Sequence, residues 1–227
     1  MTRLGEARLG EARRGAIRQG KLTQDPLRGK KGRLEMGMLK VECELIGAAP
    51  ISFSAPIQST KRTGETSDAF ETRTWRERIH QDDKGFAFIP PTALKNCLSE
   101  VAKYLQESVP GKGKSTYTRF FEAGIMVSEP LELNVKADDI PGERLFVPAS
   151  GKRGDGKRVW KTFPTLPEWK TKAVIYVLDP VLIDKPEKIK EYLEHAGKFI
   201  GMGRFRPRNN GYYGRFTVGK FGFTKVG

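Results

Sequence analysis

The stretch Ala173–Leu178, AVIYVL, is an uninterrupted apolar run of strand length. A strand that is apolar on both sides belongs inside a sheet with cover on both faces, so the run predicts a layered fold of sheet and helices. Two other periodicities agree. Leu39, Val41, Cys43 and Leu45 alternate with Lys40, Glu42 and Glu44, which predicts a strand with one buried face. Leu94, Cys97, Leu98, Val101 and Leu105 repeat at i, i+3, i+4, i+7 and i+11, an amphipathic helix with Thr92 as its expected N-cap and Pro110-Gly111 as its end.

Further strands are expected at Gly124–Val127 and Leu131–Val135, separated by Glu129-Pro130. A second helix begins at Pro186 and puts Ile189, Tyr192, Leu193, Ala196 and Ile200 on one face; a last strand, Arg215–Phe223, turns Phe216, Val218 and Phe221 inward. The order strand, helix, strand, strand, helix, strand is the α+β split βαβ plan, ferredoxin-like or RRM-like. It fits better than a doubly wound sheet, for which there are too few helices. Two inserted lobes interrupt it, at 49–91 and 136–170, since long insertions cost loop entropy only slowly. The first lobe holds a polar loop, Ser59–Asp68, and a helix at Asp68–Ile79, DAFETRTWRERI; the second holds a Gly/Lys/Arg loop, Ser150–Arg158.

Residues 38–227 therefore read as a single domain. Residues 1–37 read differently, as a disordered basic arm or an upstream extension. The first 35 residues carry ten Lys/Arg and four Asp/Glu, open with the direct repeat RLGEA, and contain enough Gly to oppose a helix at about 1 kcal/mol each. Regular structure begins beside Met36 and Met38.

Charge narrows the partner. The chain has 41 Lys+Arg against 27 Asp+Glu, a net charge of +14, which suits a polyanion. Two Cys make no disulfide scaffold, and no apolar run approaches a membrane span or a signal peptide's apolar stretch, so an intracellular, cytoplasmic protein without membrane contact is expected. The strongest site signal is 201–227, which holds Arg204, Arg206, Arg208, Arg215, Lys220 and Lys225 with no acid, interleaved with seven Gly and six aromatic residues. Arg contacts phosphates, Tyr212 and Tyr213 offer stacking faces, Asn209 and Asn210 supply amides in a turn, and Gly allows close approach of the backbone to a ligand. A second basic cluster, Lys61, Arg62, Arg73, Arg76 and Arg78 around Trp75, is balanced by Glu65, Asp68, Glu71 and Glu77, the pattern of a salt-bridged helix. Lys112, Lys114, Lys152 and Arg153 lie in Gly-bearing loops and are candidate phosphate contacts.

Sharper chemistries fail on spacing. Gly113-Lys114-Ser115 lacks the upstream Gly of a phosphate-binding loop, because position 108 is Ser108. Gly201-Met202-Gly203 is followed by Arg206 where a dinucleotide fingerprint needs Gly. Cys43 and Cys97 are far apart on buried stripes, and Asp82-Asp83 has no partner cluster, so no metal and no cofactor is expected. Of the two His, His195 lies off its helix's apolar stripe, and His80, beside the Arg-rich helix, is the one weak candidate for acid–base work.

Two stretches resemble a known family. Phe88-Ile89-Pro90-Pro91-Thr92-Ala93-Leu94-Lys95 is similar to the "IPGSSLKG"-like start of a first helix, with Pro91 and Thr92 in place of Gly-Ser, and Ile200–Arg206 is similar to a glycine-rich loop before a last strand. With the element order, they resemble the RAMP superfamily of CRISPR-associated RNA-binding proteins, above all its backbone subunit, and phage-encoded relatives. The resemblance implies a palm at 38–48, 92–134 and 171–227, a thumb at 49–91, and phosphate contact by loop 201–214. It implies a non-catalytic subunit that oligomerises as a filament along guide RNA, beside other subunits of a ribonucleoprotein. The alternatives it leaves open are a metal-independent endoribonuclease using His80, and a phage protein that binds or anneals single-stranded DNA.

Overall fold

A computed structural model describes residues 37–151 and 156–226. The expected basic arm at 1–37 therefore lies outside the described residues, apart from exposed Gly37, as do Lys152 and Arg153. In chain order the elements are β1 (Met38–Gly47), β2 (Ile51–Ser52), α1 (Ser67–Thr74), β3 (Phe86–Ile89), α2 (Pro91–Leu105), α3 (Thr118–Ala123), β4 (Ile125–Met126), β5 (Leu131–Lys136), β6 (Gly142–Pro148), β7 (Arg158–Leu166), β8 (Lys170–Val177), α4 (Pro180–Ile183), α5 (Pro186–His195) and β9 (Phe216–Val226). The fold is α+β with antiparallel sheets.

The largest sheet runs β4-β8-β1-β9, every neighbouring pair antiparallel. Its register sets Leu39 opposite Val177 and Val41 opposite Phe223, with an irregularity between Cys43 and Leu45 on the β9 side. The inward residues Leu39, Val41, Cys43, Leu45, Ala173, Ile175 and Val177 share one core with Leu94, Cys97, Leu98 and Val101 of α2 and Ile189, Tyr192 and Leu193 of α5. The Tyr192 ring stacks on Phe121 of α3 at 4.2 Å, which ties α3 and α5 together.

Four expectations need correction. AVIYVL is not covered on both faces: Ala173, Ile175 and Val177 are buried, but Val174 and Tyr176 are half-buried, and the Tyr176 hydroxyl donates to Glu129 Oε1 at 3.1 Å. The stretch 131–136 leaves the main sheet and pairs with β3, in a two-stranded sheet with Phe88 opposite Glu132, so only 125–126 of that region joins the four-stranded sheet. Thr92 is not a cap. The helix begins at Pro91, whose missing N–H costs nothing in the first turn, and no side chain caps it. The expected helix at 68–79 splits into α1 and a 3₁₀ turn, Trp75–Arg78, at Thr74, whose hydroxyl donates back to the Phe70 carbonyl at 2.7 Å. A capping hydroxyl starts α1, where Thr66 Oγ1 accepts from the Ala69 N–H.

Cys43 and Cys97 are 4% and 0% exposed, and burial pushes both thiols up to about 12. The thiolate is the reactive form. Neither should react with a thiol reagent at about pH 8 in the native protein, and both should react once it is unfolded; mass spectrometry of the modified chain reads this directly.

Among the described residues, no helix is long and apolar enough to cross a membrane. No three His, Cys, Asp or Glu among them come together as a metal site.

Candidate nucleic-acid interface

After α5 the chain widens into a π-helical turn, Ala196–Ile200, and enters the loop 201–214. That loop is a clamped structure. The Met202 N–H donates to the Gly214 carbonyl at 3.0 Å, Arg204 N–H to Ser52 O at 2.8 Å, Tyr213 N–H to Phe205 O at 3.2 Å, and Gly214 N–H to Pro50 O at 2.7 Å. Its glycines serve this closure rather than a ligand. A Cβ on Gly211 would stand 1.6 Å from the Phe205 carbonyl oxygen, and one on Gly214, whose φ is +68°, would stand 1.8 Å from the Met202 oxygen.

The arginines of the loop divide. The Arg204 guanidinium lies 4.1 Å from the Phe163 ring centroid and 4.7 Å from that of Phe205, between two rings. Burial lowers its pKa, and the nearby Arg78 lowers it further. Arg206 donates to Glu100 Oε1 at 2.8 Å, and Arg215 donates to the Lys198 carbonyl. Arg208 is exposed and has no side-chain partner among the described residues. Tyr213 is 7% exposed with its hydroxyl 2.8 Å from both Glu143 oxygens, so it is part of the scaffold and not an open stacking face. Tyr212 stacks on it at 4.3 Å and remains 55% exposed. Asn209 and Asn210 are exposed, Asn210 with φ +59° at the end of a 3₁₀ turn.

Arg206 also holds a charge in place. Glu100 Oε2 is buried without a partner among the described residues, so the pair with Arg206 is what compensates that carboxylate. Arg206→Ala should destabilise the protein by about 1–3 kcal/mol, more than Glu100→Gln, which keeps an acceptor for the guanidinium. Denaturant titration of the two variants checks the order.

The β6–β7 hairpin meets the loop with its Glu143, Val147 and Phe163 face, and pairs Phe146 directly with Trp160 on the opposite face, the side of α1. Their rings lie 5.2 Å apart and are 45% and 51% exposed. The Arg158 guanidinium sits 5.1 Å from the Phe146 ring and donates to the Phe146 carbonyl, and that of Arg144 lies 5.2 Å from the Trp160 ring and pairs with Asp68 at 3.4 Å. A groove of about 940 Å³ runs between hairpin and loop, lined by Val147, Pro148, Gly151 and Arg158 on one side and 203–206 and 208–210 on the other, with Ser54. Among the described residues four arginines and no carboxylate line it.

The sequence did not single out Phe146, Trp160, Arg144 or Arg158. The available signal was a short run rich in β-branched and aromatic residues on each side of the Gly-rich turn, RLFV at 144–147 and RVWK at 158–161.

The other candidates fall away from this groove. Arg78 is 8% exposed, pairs with Glu71 at 3.0 Å and donates to Thr162 O at 3.1 Å, so it is a buried staple and not a phosphate contact. Arg73 makes two bonds to Glu65, at 2.9 and 3.0 Å, and one to Thr60 O; those bonds and the Arg62 backbone N–H hold the Glu65 carboxyl down at about 2. Arg76 covers the Trp75 ring at 4.1 Å, and Lys61 reaches Ser67 Oγ at 3.3 Å. Arg62, Lys112 and Lys114 are exposed, Lys112 at 5.8 Å from the Phe120 ring, and none lines the groove. His80 is half-buried, 5.8 Å from the Phe88 ring, and burial lowers its pKa.

No family model and no curated protein matches the chain. Solved structures do. A chain of the Type III-B Cmr-beta complex, determined by cryo-electron microscopy bound to cognate target RNA, superposes with a TM-score of 0.50 at 12% identity over 84% of this chain. The match spans 62% of that longer chain. Cmr6 from Pyrococcus furiosus aligns over 79% of this chain and 98% of its own, at 12% identity and a TM-score of 0.45. At these identities the likeness is one of fold, and at that level it bears out the resemblance to the RAMP superfamily.

Proposed function

We propose that the chain is a non-catalytic, RNA-binding subunit of a CRISPR-type ribonucleoprotein that grips a guide or target strand by its phosphates in the groove between loop 201–214 and the β6–β7 hairpin. The groove is the observation that carries this reading. Among the described residues its lining has four guanidinium groups, of which those of Arg158 and Arg208 are exposed, with two Asn and no acid, and the exposed Tyr212 ring of the loop offers a face to an unpaired base. The shared fold supports it, because the Cmr-beta complex was determined with target RNA bound.

The palm in this reading is a ferredoxin-like core. What supports that is the antiparallel order β4-β8-β1-β9, with α2 leading toward β4 and α5 toward β9. The palm boundaries of the resemblance are retained with 131–134 removed, and the β6–β7 hairpin takes the place of 49–91 as the lobe that reaches the strand. Subunits of this kind line up along their ligand and read shape and charge, while base pairing supplies sequence.

Purification without nuclease, followed by sequencing of whatever co-elutes, tests the function. Discrete short RNAs are expected. Random DNA fragments would favour the single-stranded-DNA binder. No co-eluting nucleic acid, with no binding of single-stranded RNA at about 50 mM salt, would overturn the proposal, since phosphate contacts are strongest at low salt. RNA incubated with the protein without divalent metal should stay intact; cleavage abolished by His80→Ala would replace the binder with an endoribonuclease.

A further inference from the structure

Next to the phosphate groove lies a smaller half-open cavity of about 230 Å³, between β2, the start of α2 and the loop 201–214. The two are contiguous: Ser54, Gly203 and Arg206 line both. At about 30 Å³ per liquid water, the cavity has room for about eight waters, the scale of one flat heterocycle and not of a stacked pair.

Its walls are mixed in a particular way. Ile51, Phe53, Ile89, Pro90 and Ala93 supply apolar surface. Ser52, Ser54, His80, Thr92 and Asn96 supply hydrogen-bonding groups, and no carboxylate lines it among the described residues. Ser52 is 1% exposed, and its hydroxyl is buried with no partner among the described residues, a position that in a folded chain is filled by an ordered water or a ligand atom. The one cation, Arg206, is already matched by Glu100, so the cavity does not favour a phosphate. Burial lowers the His80 pKa and so favours the neutral ring, which has one donor and one acceptor; Asn96 and the Ser52, Ser54 and Thr92 hydroxyls likewise offer both kinds. Phosphate oxygens accept only, whereas base edges present donors and acceptors together.

We propose that this cavity receives one nucleobase, turned out of the strand whose phosphates lie in the adjoining groove, and so gives the subunit a base preference at one position. The proposal rests on the groove reading above. Asn96 is its main polar reader, because its amide can pair with a base edge in bidentate fashion. Ser52 closes the floor and Arg206 marks the threshold between phosphate and base.

The test uses the full chain and three RNA homopolymers, of A, U and C, titrated at several salt concentrations. Wild type should prefer one homopolymer over the weakest by about fivefold or more, the effect of one well-held base. Asn96→Leu removes the amide, and Ala93→Leu fills the cavity from α2. Each should bring the three affinities to within about twofold while leaving the salt slope unchanged, because the phosphate contacts are untouched. Thermal melting of both variants reports their folding; if Ala93→Leu melts early, Asn96→Leu, at an exposed helix position, decides. Equal affinities in wild type, or a preference that survives in the folded variants, would overturn the base pocket and leave the groove standing. No binding by wild type to any homopolymer would overturn the groove itself, and the pocket with it.

Discussion

Replacing Arg78 by Ala is expected to be the most destabilising of the single changes argued here. The side chains of Arg78 and Glu71 are only 10% and 12% exposed, and their 3.0 Å pair joins α1 to the 3₁₀ turn that follows it. Arg78 also donates to Thr162 O at 3.1 Å, and Glu71 Oε1 accepts the Thr162 N–H at 2.8 Å. Removing the cation leaves a carboxylate uncompensated in a largely dry site, at a cost of about 3–5 kcal/mol. For a chain of this size that is a fall of about 6–20 °C in melting midpoint. The double replacement Arg78→Met with Glu71→Gln removes both charges and should recover part of the loss. Calorimetry on the three proteins gives the answer; a single variant that melts within about 2 °C of wild type would show that the pair does not fasten α1 to the hairpin.

The largest effect on binding is expected from Arg158 and Arg208 together. Both are exposed, both line the groove, and Arg208 has no internal partner among the described residues. Each phosphate contact to a single strand contributes about 0.7 to the slope of log affinity against log salt, and so about fivefold in affinity at 0.1 M. Arg158→Ala/Arg208→Ala should therefore flatten the slope by about 1.4 and weaken unrelated sequences alike by about 25-fold. Lys112→Ala/Lys114→Ala removes the same charge from exposed residues that do not line the groove, and should change neither quantity beyond a small general effect. Equal losses in the two double variants would mean that net charge, and not the groove, drives binding. Arg204 and Arg206 are poor choices for such a test, since one is held between rings and the other neutralises Glu100.

The parts of the fold that were legible in the sequence are those whose burial has a period. The stripe Leu94, Cys97, Leu98 and Val101 is buried to 0% exposure, and the alternation Leu39, Val41, Cys43, Leu45 to 4% or less. The parts that were not legible depend on partners distant in sequence. β3 and β5 are four and six residues long, and what recruits 131–136 away from the main sheet is pairing with 86–89, which no local pattern announces. The same holds for the site. Loop 201–214 stood out by composition, but composition cannot say that Tyr213 is spent on Glu143, or that Gly211 and Gly214 make room for carbonyls of their own loop. The sequence likewise could not separate an arginine that holds a lobe together, such as Arg78, from an exposed one such as Arg208.

Photocrosslinking tests the groove most directly. Single-stranded RNA carrying 4-thiouridine would be bound, irradiated and digested, and the crosslinked peptides identified by mass spectrometry. Adducts on peptides containing Tyr212 of the loop, or Val147 and Arg158 of the hairpin, are expected, because Tyr212 is the loop's exposed ring and the other two line the groove. Adducts confined to α1 or to the outer face of the β4-β8-β1-β9 sheet, with those peptides unmodified at saturation, would contradict it.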